Sequence, residues 1–495
     1  MSGACQRHRR IMSQCQAAAF LGIDFGTSGA RAIAIDDAGE VLAEVKRGYG
    51  ADAQTDRACA WESTLYALLS DLPPSTRSAI ASIAFDGTSA TAMLVQRSTG
   101  RSLAPAKLYN ESQGEQAVQR VKSIAPASHT TTASTSSLCK LMTWHDAGVW
   151  QQHAADFLQQ QQQQRGQQQG RPGEGTATSQ QPPQTSALEH TPTSQATLGC
   201  PVVLCHQADW LAALCCGSYG YSDWNNALKL GYDPGTQQFP SWLTAQPFSA
   251  LLPHTVLQPG SPIACITPAL AAATGLPATA LVCAGTTDSI AAFIAAGVTL
   301  PGAAVTSLGS SMAVKMLSRV RVDDAACGVY SHRLGGQLWL VGGASNTGGA
   351  VLRQHFTDAE LSDLSGRMDV QLPTGLDYYP LPATGERFPV NDPCLAPRLT
   401  PRPDDDALFL QGMFEGMAAI EAEAYALLQR MGAPRVVQVL TAGGGAENGK
   451  WNAIRARVLG VEVLPAPNGE AAYGAALLAR QGWQKQQNQP QQEVL

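Results

Sequence analysis

The sequence predicts two α/β domains that enclose a cleft. The chain has 495 residues, which is more than a single hydrophobic core usually serves. Short apolar segments typical of strands alternate with helical periodicities in both halves. In addition, one strand–turn–strand pattern, with glycine and hydroxyl residues in its turn, occurs once in each half. These three observations together favour two related domains over one large one.

The repeated turn has the composition of a phosphate-binding hairpin. The first copy reads Leu21-Gly22-Ile23-Asp24-Phe25-Gly26-Thr27-Ser28, and a strand pattern at 30–35 follows it. The second copy reads Ala304-Val305-Thr306-Ser307-Leu308-Gly309-Ser310-Ser311, and a strand pattern at 313–317 follows it. Glycine lets the backbone approach a ligand closely, and the freed N–H and hydroxyl groups suit a phosphate oxyanion. The pair therefore predicts a nucleotide held between the two domains.

Composition narrows the class of partner. The net charge of −6 and the lack of a basic stripe disfavour nucleic acid and anionic membranes as partners. The longest apolar stretch, 263–283, is interrupted by Pro268, Gly275 and Pro277, so no membrane span is expected. The twelve cysteines contain no Cys-x-x-Cys pair, which favours reduced thiols of an intracellular protein over zinc ligands.

The first 19 residues differ from the rest. They include Arg7, Arg9 and Arg10 and no acidic residue. This composition fits an organelle transit peptide as well as a disordered leader. We therefore leave a cytoplasmic and a plastid location open.

The predicted N-terminal domain covers residues 20–265. Helical patterns span 61–72, which ends at Pro73-Pro74, and also 137–150 and 206–216, while 80–85 reads as a buried strand. Between 159 and 200 the composition changes to Gln, Gly, Pro, Ser and Thr. Such a segment cannot bury enough apolar surface to offset its ordering entropy, so a disordered insertion is predicted there.

The predicted C-terminal domain covers residues 266–482. It opens with a strand at 280–284 and a helix at 289–296, before the second hairpin. Further on, a long helix is expected over 409–431, a strand over 438–440, and a helix after Lys450. The Gln-rich end, 483–495, is predicted to be disordered.

Several of these segments resemble the FGGY family of carbohydrate kinases, in the actin/Hsp70-type ATPase superfamily. Within that family, the sequence motifs are most similar to those of the D-ribulose kinases of cyanobacteria and plant plastids. The resemblance extends from residue 20 to about residue 482, apart from the insertion, and implies two ribonuclease-H-like (actin-type ATPase) domains around a central cleft. The segments that carry it are Gly22-Ile23-Asp24-Phe25-Gly26-Thr27-Ser28-Gly29-Ala30-Arg31-Ala32, Asn226-Ala227-Leu228-Lys229-Leu230-Gly231-Tyr232, Cys283-Ala284-Gly285-Thr286-Thr287-Asp288-Ser289-Ile290-Ala291-Ala292-Phe293 and Thr441-Ala442-Gly443-Gly444-Gly445-Ala446.

The resemblance implies that both hairpins hold the phosphates of ATP. The first would do so with Gly26, Thr27 and Ser28, and the second with Gly309, Ser310 and Ser311. Asp24 would reach Mg²⁺, because a carboxylate beside phosphate needs a bridging cation. The alternatives are that Asp24 only satisfies local backbone groups and that the second turn is an ordinary hairpin.

Asp288 is the candidate catalytic base. It follows a predicted strand of the C-terminal domain and precedes a helix, where a side chain can reach into the cleft. Phosphoryl transfer has a loose transition state, so a carboxylate that orients the acceptor hydroxyl and takes its proton suffices. The alternative is a helix N-cap, since aspartate is a favoured cap.

A glycine-rich loop is the candidate adenosine site. It consists of Gly443, Gly444 and Gly445 with Asn448 downstream, and it follows a strand and precedes a helix. In the family, the corresponding loop packs against the adenosine.

Sugar contacts are expected from Asp86, Gly87 and Thr88, at the end of a strand where ligands of open α/β sheets bind. A carboxylate there can accept two hydroxyl hydrogen bonds. Asp223 and Asn226 are further candidates, with capping or surface roles as the alternative.

The predicted activity is ATP-dependent phosphorylation of a free ketopentose, D-ribulose in the first place. D-Xylulose or another ketose or polyol remains an alternative substrate. A non-kinase alternative is an ATPase of the Hsp70 or actin type, or an inactive sugar sensor. The only partner implied is a small sugar; the oligomeric state stays open, with a homodimer as one option.

Overall fold

Two six-stranded sheets form the framework of the protein. The computed structural model describes residues 17–50, 53, 55–151 and 200–488. The first sheet consists of β1 (Ala19–Phe25), β2 (Gly29–Ile35), β3 (Val41–Gly48), β4 (Ile80–Gly87), β9 (Pro262–Cys265) and β10 (Leu281–Thr287), in the order β3-β2-β1-β4-β10-β9. The second consists of β11 (Ala303–Leu308), β12 (Met312–Ser318), β13 (Tyr330–Gly335), β14 (Leu338–Ser345), β15 (Gln438–Ala442) and β16 (Glu462–Pro465), in the order β13-β14-β12-β11-β15-β16.

The two sheets share one connectivity. In the first, β1 pairs antiparallel with β2 and parallel with β4, which pairs parallel with β10. In the second, β11 pairs antiparallel with β12 and parallel with β15, which pairs parallel with β16. The two hairpins predicted to bind phosphate, β1–β2 and β11–β12, therefore hold equivalent positions. This duplication confirms the predicted fold of two domains that each carry a sheet.

Four short strands complete the first domain. β5 (Ala92–Gln96) pairs antiparallel with β6 (Val202–His206), and β7 (Tyr221–Asp223) pairs with β8 (Thr255–Leu257). The pairing of β5 with β6 joins segments on either side of the insertion. Local sequence patterns do not predict these strands, because each is short and its partner is distant along the chain.

Helices cover the sheets. Those of the first half are α1 (Arg57–Asp71), α2 (Pro74–Ala79), α3 (Glu115–Ile124), α4 (Ser137–Asp146), α5 (Gln207–Cys216), α6 (Ser241–Thr244), α7 (Pro268–Thr274) and α8 (Asp288–Ala295). Those of the second half are α9 (Gly349–Leu352), α10 (Asp358–Arg367), α11 (Asp406–Arg430), α12 (Gly449–Leu459) and α13 (Ala471–Asn488). Short 3-10 helices lie at Thr130–Thr132, Ala227–Leu230, Pro247–Leu251, Ala325–Cys327 and Gly444–Glu447. Among the described residues, no helix is both long and apolar enough to cross a membrane.

The sheets divide the chain at a different point from the predicted boundary at 265/266. β10, expected in the C-terminal domain, pairs parallel with β4 and belongs to the first sheet. The second sheet begins only at Ala303. β10 is buried along its whole length, and its membership follows from pairing with a strand almost 200 residues earlier, which local sequence patterns do not record.

The C-terminal helix returns to the first domain. Helix α13 packs on β1 with small residues; a side chain at Gly22 would place its Cβ 2.0 Å from the carbonyl oxygen of Ala472. A Cβ at Gly474 would likewise lie 1.8 Å from the carbonyl oxygen of Ala291 in α8. The last helix, α13, therefore packs on the first sheet and on α8, and α8 in turn packs against the second sheet.

The predicted termini and insertion are described only in part. β1 begins at Ala19, inside the predicted leader, and residues 1–16 of that leader lie outside the described residues. The insertion 159–200 lies outside them too, apart from Cys200, which is buried. The predicted disordered tail is wrong for 483–488, since α13 continues to Asn488 and Trp483 packs against the core; residues 489–495 are not described.

Candidate active site

Three aspartates meet at one edge of the first sheet. Asp24 lies near the end of β1 and Asp86 near the end of β4, directly opposite each other in the parallel register. Asp288 follows the last residue of β10, and Thr286 of that strand lies opposite Asp86. Carboxyl ends of parallel strands are where open α/β sheets bind ligands. The structure thus brings together three of the predicted site residues, although it assigns Asp288 to the first domain and not to the second.

A bulge in β10 positions Asp288. The register between β10 and β4 shifts between Cys283 and Thr286. At the shift, a Cβ on Gly285 would lie only 2.0 Å from the carbonyl oxygen of Phe85. The two strands therefore approach each other in a way that a side chain at Gly285 would prevent.

Three of the four carboxyl oxygens of Asp24 and Asp86 are buried without a hydrogen-bond donor among the described residues. They are both oxygens of Asp86, which is 0% exposed, and Oδ1 of Asp24. Burial, and next the charge of Asp24, raise the pKa of Asp86 well above its usual value. Burial also raises the pKa of Asp24, partly offset by its contact with Asp86 and by Arg31. Carboxyl groups this close titrate as a pair and are stabilised by a cation or by hydroxyl donors.

Asp288 is the first residue of α8 and not its cap. The cap position belongs to Thr287, whose buried hydroxyl has no hydrogen-bond partner among the described residues. Oδ1 of Asp288 accepts a hydrogen bond of 2.5 Å from the backbone N–H of Ser289. Burial raises the pKa of Asp288, while that hydrogen bond and the charge of Lys315 lower it. Asp288 therefore lies one residue after the cap position, and one of its carboxylate oxygens accepts from a backbone N–H of the first helical turn.

The turn of the first hairpin is fixed by hydrogen bonds within its own domain, and its hydroxyl-bearing residues are exposed. The N–H of Gly26 donates to the carbonyl of Gly29 at 3.0 Å. Tyr49 supports the turn, since its hydroxyl donates to the carbonyl of Gly26 at 2.9 Å and its N–H donates to that of Ser28 at 3.1 Å. Thr27 and Ser28 are exposed. The hydroxyl groups of the turn are thus accessible to a ligand.

The second hairpin has the same design. The N–H of Gly309 donates to the carbonyl of Ser311 at 3.1 Å, and two N–H groups at the start of α9, those of Gly349 and Ala350, donate to the carbonyls of Gly309 and Ser310. Ser310 is exposed and Ser311 is half-buried. The turn is again fixed by its own domain, with hydroxyl groups left at its surface.

The glycine-rich loop lies against the second hairpin. Gly443 has φ of +81°, and a Cβ there would lie 2.7 Å from the carbonyl oxygen of Leu308, the last residue of β11. A Cβ on Gly445 would meet the side chain of Leu308 at 2.8 Å, while Gly444 faces open space. The first and third glycines are thus required by packing, and the second is the one open to a ligand.

Asn448 has a different role from the one predicted. Its Oδ1 accepts from the N–H of Trp451 and caps α12, and its Nδ2 donates to Ser365 at 3.0 Å. Both polar ends are therefore engaged within the domain. Beside this loop lies a hollow that offers an apolar wall to a flat base; its lining comprises Ala446, Glu447, Gly449, Asn452, Ala453, Ala456, Val463 and Pro465.

The loop after Asp86 is held by a residue that the sequence analysis missed. Oε1 of Gln207, at the start of α5, accepts from the N–H and the hydroxyl of Thr88 at 3.1 and 3.0 Å. The hydroxyl of Thr88 also lies 2.5 Å from that of Thr91. Thr88 is therefore directed inward, and Gln207 fixes the loop. Nothing in the local pattern around Gln207 indicates this contact, which joins residues 119 positions apart.

Asn225 is a second residue that the sequence analysis missed. The predicted candidates on either side of it bind each other, since Nδ2 of Asn226 donates to Asp223 at 2.6 Å. Burial raises the pKa of Asp223 to about 7. Nδ2 of Asn225 donates to the hydroxyl of Thr286 at 3.0 Å, which leaves its buried Oδ1 without a partner among the described residues. Asn225 therefore offers a free acceptor near the three aspartates.

The residues present fit a magnesium ion that is bound together with phosphate groups. In the described part of the chain, no group of three or more His, Cys, Asp or Glu side chains could hold a metal ion. Mg²⁺ is commonly bound by one or two carboxylates together with phosphates and water. The unpartnered Oδ1 of Asp24, beneath the first hairpin, has the chemistry of such a ligand.

Comparisons with known proteins agree with this fold. The chain matches solved two-domain kinases over nearly its whole length. A xyloylose kinase from Brucella ovis is 20% identical, with a TM-score of 0.73 and coverage of 94% of this chain and 91% of that one. A xylulose kinase from Rhodospirillum rubrum is 21% identical, with a TM-score of 0.71 and coverage of 93% and 89%. Plasmodium falciparum glycerol kinase with ADP is 16% identical, with a TM-score of 0.72 and coverage of 94% and 89%.

The fold of the chain is thus the two-domain, actin-type ATPase fold of these solved kinases. Residues 304–483 match the family model for the C-terminal domain of the FGGY family of carbohydrate kinases. This match covers the second sheet, so the likeness to the FGGY family is established for the C-terminal domain, and the solved structures extend the shared fold to the whole chain.

Proposed function

We propose that this protein is an ATP-dependent kinase of a free ketopentose, with D-ribulose as the preferred substrate and D-ribulose 5-phosphate as the product. The observation that carries the proposal is the convergence of Asp24, Asp86 and Asp288 at one sheet edge, with a phosphate hairpin in each domain. A nucleotide between the hairpins and a polyol at the carboxylates would use the unpartnered oxygens of Asp24, Asp86 and Asn225.

Asp288 is proposed as the base. The acceptor hydroxyl of the sugar would donate its proton to the free oxygen of Asp288, while the other oxygen keeps its hydrogen bond to Ser289. The hydroxyl oxygen then forms a bond to the γ-phosphorus as the bond to the β-phosphate oxygen breaks, and ADP departs. Because the transition state is loose, the main task of Asp288 is to orient the hydroxyl.

The hairpins are proposed to bind the phosphates. Thr27 and Ser28 from the first domain and Ser310 and Ser311 from the second present hydroxyl groups to phosphate oxygens. Gly444, which faces open space, would allow the adenosine to lie against its loop. Asp24 would hold Mg²⁺, which, when bound, neutralises phosphate charge.

Asp86 and Asn225 are proposed to bind the sugar. Asp86 has two buried oxygens and Asn225 has one, and none of the three has a donor among the described residues. Such acceptors match the hydroxyl groups of a polyol, since a buried acceptor without a donor is costly. The preference for D-ribulose is supported by the likeness of the Asp86 loop to that of ribulose-type kinases.

D-Xylulose is the second candidate substrate, because two of the similar structures are described as kinases of that type. An assay of ADP release with D-ribulose, D-xylulose, L-ribulose, ribitol and glycerol tests both. We expect the highest kcat/KM with D-ribulose, and a 5-phosphate by ³¹P NMR. A higher kcat/KM with D-xylulose would transfer the assignment to that sugar. ATP turnover that none of the five increases would refute the kinase.

A further inference from the structure

Lys315 connects the second sheet to the helix that carries Asp288. On β12, Val314 and Met316 point into the core of the second domain. Lys315 and Leu317 point to the opposite face, where Leu317 packs against α8. Because side chains alternate along a strand, this face of the second sheet is the one on which α8 rests.

The amine of Lys315 reaches the first turn of α8. Nζ donates a hydrogen bond of 2.9 Å to the carbonyl oxygen of Ser289. The N–H of the same residue donates to the carboxylate of Asp288. The backbone of Ser289 thus connects an ammonium group of the second domain to the carboxylate at the sheet edge of the first.

This placement is unfavourable for the helix alone. The N-terminal end of a helix carries a partial positive charge, so a cation there is destabilising. Burial adds to the cost and lowers the pKa of Lys315 to about 8, while the charge of Asp288 opposes that shift. The carboxylate of Asp288 is therefore the feature that accounts for an ammonium group at this position.

Other charged groups near Asp288 have opposing effects. Asp24 repels its negative charge, and Asp86 is in turn affected by it. Lys229, in the 3-10 helix Ala227–Leu230, attracts it, as Lys315 does more strongly. On the second sheet, His332 is kept neutral by burial, with its pKa well below the usual value. Of the two cations, Lys315 therefore lowers the pKa of Asp288 more strongly.

We propose that Lys315 is a positioning residue for the phosphotransfer, which ties the first turn of α8 to the second domain and places its ammonium group beside the residue that follows Asp288. This inference rests on the proposed function, since it assigns a partner to the proposed base. The structure gives Lys315 no contact with a substrate, and its effect is exerted through Asp288.

Lys315→Met and Lys315→Arg, with Lys46→Met as control, test the proposal. Lys46 lies on β3, and its side chain is 58% exposed. Without the cation, the pKa of Asp288 rises further, so the acidic limb of the kcat/KM profile moves to higher pH. We expect Lys315→Met to lose more activity at pH 6 than at pH 8.5, by up to about tenfold, because a shift of one pKa unit changes ionisation by at most a factor of ten. In Lys315→Arg, which retains a cation, the acidic limb of the kcat/KM profile should stay at the same pH as in the wild type.

Hydrogen exchange of the peptide that covers α8 gives a readout independent of turnover. We expect faster exchange in Lys315→Met than in Lys315→Arg, in the wild type or in Lys46→Met, with global unfolding unchanged. Equal exchange in all four proteins would overturn the proposal that Lys315 holds the first turn of α8 to the second domain. A loss of activity in Lys315→Met that is the same at every pH overturns the effect on ionisation. If the wild type phosphorylates none of the sugars, the proposed function fails, and the exchange experiment still decides whether Lys315 holds α8.

Discussion

At the scale of single residues, Asp288 gives the most direct prediction. Asp288→Asn keeps an oxygen for the N–H of Ser289 but removes the proton acceptor. We expect kcat to fall by about 10²- to 10⁴-fold, the usual contribution of general base catalysis, with the sugar KM little changed. Steady-state kinetics measures this directly. Asp358→Asn is a matched control, because Asp358 is also the first residue of a helix and is exposed.

The second residue-scale prediction concerns stability. The folded-state pKa of Asp86 is raised, so this carboxyl group stabilises the fold fully below its unfolded-state pKa, and that stability is lost as the pH rises through its folded-state pKa. In Asp86→Asn, the new amide can donate to Asp24. We expect the free energy of unfolding at pH 7 to rise by about 1–3 kcal/mol while kcat/KM for the sugar falls.

Urea unfolding at two pH values checks the sign. The gain should shrink below about pH 4, where the aspartate is protonated in both states. A stability at pH 7 below that of the wild type would contradict this account of Asp86.

How far the sequence predicts the site differs from residue to residue. Asp24 and Asp86 end recognisable strands, so their place at a sheet edge follows from local patterns. Gln207 and Asn225 act through contacts with residues more than 60 positions away. Thr88 and Asn448 have the expected chemistry, but the protein itself uses their polar groups. A short motif thus identifies the type of loop, and the packing around it decides which atoms remain free.

At the scale of elements, the two hairpins and six of the helices, among them the long α11, are predictable from the sequence, and sheet membership is not. β10 reads as a strand in isolation, but its pairing with β4 depends on a partner far along the chain. The same applies to α13, which lies within the matched C-terminal domain and yet packs on β1 of the first sheet. Local patterns therefore predict elements better than they predict domain boundaries.

The packing of α13 on β1 gives an element-scale prediction. In Gly22→Ala, the added Cβ would lie 2.0 Å from a backbone oxygen of α13, which neither element can avoid without moving. We expect the free energy of unfolding to fall by about 1–3 kcal/mol or more, measured by urea unfolding. Gly366→Ala is the control, because its Cβ would meet no atom within 4 Å. Equal stability of the two variants would refute close packing at Gly22.

At the scale of the whole molecule, the two domains also make contact beside Asn225, the proposed sugar contact. The guanidinium of Arg333, on β13, lies 4.7 Å from the ring centre of Trp224 and 5.7 Å from that of Trp339. It also donates to the carbonyl of Pro234 at 2.6 Å. Trp224 directly precedes Asn225, the proposed sugar contact. The second domain thus fixes a segment of the first that lines the proposed sugar site, because Arg333 is held between the two rings.

This contact predicts an effect of the second domain on sugar binding. Arg333→Ala removes a cation–π contact and buried hydrogen bonds, together worth about 1–3 kcal/mol. We expect the sugar KM to rise about tenfold, which corresponds to about 1.4 kcal/mol, while the ATP KM stays near that of the wild type. Arg333→Lys should lie between the two, since lysine keeps the charge but not the planar stacking. Arg430→Ala, at an exposed ion pair on α11, controls for the loss of an arginine. If Arg333→Ala raises both KM values equally, the contact supports the whole cleft and not the sugar segment in particular.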